Sequence, residues 1–221
     1  MIKKILAAAA FGAVAMGAQA STTNLLTDGD FESTGATFNG SSYCYSGNVP
    51  APQCSAPTPA HPGYSVSGWS GLDPVFLTSN SGPWGNPSDQ SHTGIDLGGY
   101  VAGVQSTSSL ISDFTFVAGD EYTLTWSDAG RTNYGSTQTY SVTAGGDVLG
   151  SFTTDKGQWT SHSFTFTAAS DAALIFQGTV NADATSFIDN VSVTAVPEPT
   201  ALLMMGVGTL GLLAWRRRAQ V

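Results

Sequence analysis

Strict alternation of apolar and polar residues is the feature that most limits what this 221-residue chain can fold into. The stretch EYTLTWSD sets Tyr122, Leu124 and Trp126 against Thr123, Thr125 and Ser127. SHSFTFTA sets Phe164 and Phe166 against Ser163, Thr165 and Thr167, and TQTYSVTA puts Tyr140 and Val142 on one side. In TSFIDNVSVTAV the expectation is that Phe187, Val191 and Val193 point one way after an irregular Asp189-Asn190 step. Period two means one face of a pleated strand buried and the other wet. Turn signals separate the runs: Ala118-Gly119-Asp120, Ala144 to Asp147, and Asp155-Lys156-Gly157. GGDVLGSF reads as a strand leaving a hairpin turn. The pattern predicts an all-β fold of nine or ten strands in two antiparallel sheets packed face to face, with no amphipathic helix in the body. Trp69, Trp126 and Trp159 fall where core residues belong.

The two ends set the boundaries. Lys3 and Lys4 precede an apolar run from Ile5 to Gly17, and Ala18-Gln19-Ala20 is a small-x-small cleavage site. This order is that of a secretory signal peptide over residues 1–20. The β-sandwich domain is expected at residues 21–196, long enough to bury a core. An exported chain with two close cysteines suggests a Cys44–Cys54 disulfide. Its short loop is worth roughly 2–3 kcal/mol in chain entropy. Five prolines between Pro50 and Pro62 make the stretch around 43–63 a surface loop. Residues 21–196 hold fifteen acidic residues against two basic ones, Arg131 and Lys156, a net charge near −13. Such a body repels nucleic acid and anionic membrane surfaces. It is compatible with neutral glycans, cationic partners or calcium, and also with acidity serving solubility alone.

The chain ends VPEPTALLMMGVGTLGLLAWRRRAQV. Residues 201–215 would make a helix of about 22 Å, against a hydrocarbon core of about 30 Å. Gly206, Gly208 and Gly211 weaken it by up to about 1 kcal/mol each. Arg216, Arg217 and Arg218 would hold that end in the cytoplasm. The segment is a marginal anchor, with Pro197-Glu198-Pro199 as a rigid marker outside it.

These residues closely resemble the PEP-CTERM sorting signal, over 197–221. The resemblance implies a Gram-negative exported protein, an inner-membrane intermediate held by the tail, and processing by an exosortase-type enzyme. Delivery would then be to the cell surface or outside the cell, in bacteria that often make polysaccharide or floc matrix. The body has its own resemblance. NLLTDGDFE, GIDLGG, FVAGDEYTLTWSDAGR and SFIDNVSVTAV together resemble galactose-binding-like and carbohydrate-binding jelly-roll modules. That family's motifs speak for fold far more than for ligand.

In such modules an ion often ties the first strand to the last. The matching residues are Asp30, Glu32 and Asp189, which makes calcium the candidate cofactor. The plainer reading is that these acids cap turns or accept backbone amides. Aromatic rings that could stack on sugars lie in loop-like stretches at Tyr43, Tyr45, Tyr64, Trp84 and Tyr134, and Trp84, Tyr64 and Tyr134 are the candidate ligand-binding residues. No catalytic residue is assigned. His61, His92 and His162 sit among prolines or serines and read as surface residues, and no nucleophile, zinc or phosphate-loop motif occurs. The expectation is therefore a non-enzymatic surface or matrix protein of biofilm or floc. A polysaccharide-binding module is the alternative, and a glycoside hydrolase the third reading.

Overall fold

The computed structural model describes residues 23–32, 43–45, 67–72, 74–78, 99–133 and 137–197. Eleven strands run through them: β1 Tyr43–Tyr45, β2 Trp69–Ser70, β3 Val75–Thr78, β4 Tyr100–Gln105, β5 Ser109–Thr115, β6 Glu121–Gly130, β7 Thr139–Ala144, β8 Asp147–Thr153, β9 Thr160–Thr167, β10 Ala173–Gly178 and β11 Thr185–Ala195. They form a six-stranded sheet, β1-β3-β4-β11-β6-β9, and a five-stranded sheet, β2-β5-β10-β7-β8. Every strand pair is antiparallel. From β4 to β11 each connection crosses between the sheets except the β7–β8 hairpin, so this is the expected jelly-roll sandwich. The described residues contain no helix, and none of them forms a helix long and apolar enough to cross a membrane.

The strand count exceeds the expected nine or ten because short strands lack a long alternating run. β1 lies at Tyr43–Tyr45, where a loop was expected, and pairs with β3. The hairpin turn is where GGD placed it. Gly145 and Gly146 have φ of 55° and 89°, and a Cβ on Gly145 would stand 2.6 Å from that of Ala168. Only glycine takes both conditions without strain.

Alternation produces the core as read. Tyr122, Leu124, Trp126, Tyr140 and Val142 are buried between the sheets, joined by Phe164 and Phe166 at its margin. One row of the six-stranded sheet runs Phe76, Ala102, Ile188, Asp128 across β3, β4, β11 and β6. The facing sheet supplies Leu110, Phe176, Val142 and Gly150 in register. Trp69 and Trp126 are buried in this core. Trp159 is buried too, but in a second cluster on the other face of the six-stranded sheet, with Val75, Leu77, Val101, Ala129 and Phe187.

Phe187 corrects the expectation that it shares a face with Val191 and Val193. Between Asp189 and Ser192, β11 carries one residue more than β6, with Asn190 at φ 50°. An extra residue reverses the parity of a strand. Hence Ile188, Val191 and Val193 face the main core while Phe187 faces away.

Ahead of the first strand, residues 23–32 close the sandwich. Asp28 and Phe31 adopt left-handed backbone, φ 52° and 57°. For a non-glycine residue this costs about 1–2 kcal/mol. Full burial of the Phe31 ring, about 1.5–3 kcal/mol, offsets it. The ring lies 5.2 Å from Trp69 and 5.9 Å from Phe76, centroid to centroid. Phe31→Ala is expected to lower unfolding free energy by about 3–5 kcal/mol, measured by denaturant melting. A loss below about 1 kcal/mol would mean that this segment does not close the core.

Candidate functional site

β11 is the strand on which the predicted residues meet. It pairs with β4 on one side and β6 on the other, so it is central and cannot shift without disrupting both neighbours. The segment 23–32 lies along it. Leu25 N donates to Val193 O at 2.8 Å, and Val191 N donates to Gly29 O at 2.8 Å. The Asn24 amide grips the same strand through Nδ2 to Val191 O at 2.9 Å, while its Oδ1 accepts Val193 N at 3.0 Å and Leu26 N at 3.1 Å. Gly29 must be glycine, because a Cβ there would lie 2.0 Å from Val191 O. Beyond Ile188 no β4 residue pairs with β11, and these bonds take up backbone groups left open on that side.

Each of the three candidate carboxylates is engaged with a backbone amide. Asp30, exposed, accepts Glu32 N through Oδ1 at 3.4 Å. Glu32 Oε1 accepts Gly99 N at 2.7 Å and Tyr100 N at 2.8 Å, tying residue 32 to the start of β4. Asp189 is buried, and its Oδ1 accepts Asn190 N at 2.6 Å, which helps hold the left-handed residue of the bulge. Among the described residues no group of three His, Cys, Asp or Glu side chains is placed to hold a metal ion. Of the three, Asp30 alone lines a cleft of about 340 Å³, shared with Asn24, Asp28 and Asn190 among others.

At its far end β11 runs into the tail. Ala195 still pairs with Tyr122, and Val196 N donates to Glu121 O at 2.8 Å. Pro197 follows, with no N–H to offer, and the ladder stops. Glu198, Pro199, Arg216, Arg217 and Arg218 lie outside the described residues, as do Trp84, Tyr64, Tyr134 and Cys54. The Cys44 backbone belongs to β1, and the disulfide itself lies outside what is described.

A second constellation was not foreseen. Tyr140 of β7 donates its hydroxyl to Asp128 Oδ2 of β6 at 2.5 Å, and Trp126 Nε1 donates to the Tyr140 oxygen at 2.8 Å. His162 Nε2 of β9 lies 3.1 Å from the same carboxylate oxygen, within ion-pair reach though without hydrogen-bond geometry. The imidazole stacks on Trp126 at 4.8 Å and meets Phe152 edge-on at 5.0 Å. His162 is thus no solvated surface residue, as its serine neighbours suggested. Its parity with Phe164 and Phe166 turns it inward. The same reasoning would have found Asp128, which is in phase with Tyr122, Leu124 and Trp126. Asp128 is 2% exposed, and its bond to Tyr140 ties one sheet to the other.

Residues 195–218 match the PEP-CTERM protein-sorting motif. No curated protein matches the chain. Among solved structures it is similar to the CBM22-1 xylan-binding domain of Paenibacillus barcinonensis Xyn10C, at 9% identity and a TM-score of 0.40, over 59% of this chain and 87% of that one. It is also similar to TmCBM61 in complex with β-1,4-galactotriose, at 15% identity and 0.40, over 58% and 87%. The K3 cleaved adhesin domain of Lys-gingipain from Porphyromonas gingivalis is a third, at 12% and 0.39, over 58% and 92%. Likenesses this distant carry no ligand across.

Burial raises the Tyr140 pKa well above the ordinary phenol value, and the adjacent Asp128 charge adds to it. A raised folded value means stability complete below the unfolded pKa of about 10 and falling as pH rises beyond it. Tyr140→Phe leaves Asp128 without its hydroxyl donor and is expected to cost about 1–3 kcal/mol. It should also remove this residue's share of the alkaline loss. Melting at pH 7 and above 10 checks both parts; a neutral effect at pH 7 would contradict the cross-link.

Proposed function

We propose that this chain is an exported, non-enzymatic protein of the cell surface or extracellular matrix, delivered by its tail and processed by an exosortase-type enzyme. The observation that supports it is continuity. The sorting motif begins at residue 195, on the last residue of β11, and the sheet ladder ends at Pro197. The marker Pro-Glu-Pro therefore follows directly on a strand fixed at the centre of a sheet. The segment after the predicted signal peptide is clamped to that same strand at Val193.

In this reading the folded body is cargo, indifferent to the tail's chemistry. Replacing Pro197, Glu198 and Pro199 by alanine should leave the body folded and exported but stop its release to the surface. Fractionation of the producing cells, with thermal melting of the retained protein, checks this. Surface delivery at the normal level would overturn the proposal.

Polysaccharide is the partner class proposed for the body, because a neutral hydroxyl polymer suits a surface with a net charge near −13. Trp84, Tyr64 and Tyr134 are the proposed stacking residues. Retention on extracted matrix polysaccharide, lost in Trp84→Ala, would support it. No retention of the native protein would leave a structural role without sugar binding. For calcium, the proposed ligands are Asp30, Glu32 and Asp189. A thermal midpoint that rises at millimolar calcium supports it; an unchanged midpoint leaves the carboxylates to their backbone amides alone.

A further inference from the structure

The six-stranded sheet is built around its last strand. In the order β1-β3-β4-β11-β6-β9, β11 alone joins the β1-β3-β4 part to the β6-β9 part among the described residues. Every strand of the other sheet lies within residues 69–178, so the pairing of that sheet needs nothing from β11. Ile188, Val191 and Val193 of β11 are buried in the main core, and their places stand open until the strand arrives. The segment 23–32 waits for the same strand. Asn24 bonds to Val191 and Val193, Leu25 to Val193, and Gly29 to Val191. Asn24 and Val191 stand 167 residues apart in the sequence. Closing so long a loop costs chain entropy that only the finished pairing offsets.

We infer that β11 is a strap that closes the sandwich last, after export of the chain through Val196, so that the body crosses the membrane open and closes beside its own sorting motif. Its timing rests on the export reading proposed above, whereas closure by β11 rests on the sheet order alone. A chain led by an N-terminal signal crosses that end first. Residues 23–32 are then on the far side while residues 185–196 are still on the near side, and hydrogen bonds between them cannot form across a membrane. β4 and β6 also cross ahead of β11, with no strand between them. The chain therefore stays threadable until its last strand has passed. The final bond of the ladder, Val196 N to Glu121 O, lies one residue before Pro197. The segment that must emerge for closure thus ends where the Pro-Glu-Pro marker begins.

Protease added to spheroplasts in which translocation of the full-length chain is slowed tests this. In chains caught in transit, the portion already outside should be digested without a resistant core. Chains exported through Val196 should yield a resistant body. A resistant fragment that lacks residues 185–196 overturns the inference. Asn24→Ala removes two bonds to β11 and should speed digestion of the completed body several-fold without changing the amount exported. An unchanged rate contradicts the fastening of residues 23–32 as part of the strap. Pulsed hydrogen exchange during refolding of the mature chain reads closure without export. The amides of Leu25, Val191 and Val193 are expected to gain protection together in the last step. Protection of any of them ahead of the β5, β7 and β10 amides overturns closure by β11. If the expected order holds while no chain leaves the cytoplasm, the export reading fails, and the timing with it, but not the strap.

Discussion

The extra residue in β11 between Asp189 and Ser192 is the constraint on which the rest of the structure depends. It lets one central strand serve two cores. Before the bulge, Phe187 packs into the outer cluster with Val75 and Ala129; after it, Val191 and Val193 pack into the main one. Beyond Ile188, where β4 no longer pairs with β11, Asn24, Leu25 and Gly29 take up its backbone groups, so that the segment ahead of the first strand is fastened to the strand before the tail. Phe31 follows from that fastening, in a conformation it tolerates because its ring is wholly buried.

A second constraint is electrostatic. Asp128 occupies an inward row beside Ile188 and Ala102, where an isolated charge would be costly. Tyr140 supplies a hydroxyl from the opposite sheet and His162 an imidazole from the neighbouring strand. The polar contact crosses between the sheets, as does the bond from Gln138 Nε2 to Val104 O, and so favours one lateral placement of the two layers. Buried, hydrogen-bonded groups act in this way because any other placement leaves them unsatisfied.

Alternation made most of the sandwich legible, since each residue in phase with an apolar neighbour is buried whatever its distant partners. That rule held for Tyr122, Leu124, Trp126, Tyr140 and Val142. It failed at Phe187 because parity across a bulge cannot be counted without knowing where the extra residue sits. Applied to polar residues the same rule turns Asp128 and His162 inward, against the usual preference of such side chains for water. The strands at Tyr43–Tyr45 and Trp69–Ser70 are too short for any period to show. The tail was legible for a different reason: its motif is read by composition and order, not by packing.

In the proposed function a folded sandwich is carried to the surface by a tail whose motif begins where its last strand ends. The most direct measurement is the intact mass of the protein recovered from outside the cell. A mature chain that starts at Ser21 and has lost Arg216, Arg217 and Arg218 is expected. Recovery of the extracellular protein with that arginine cluster still attached would contradict it.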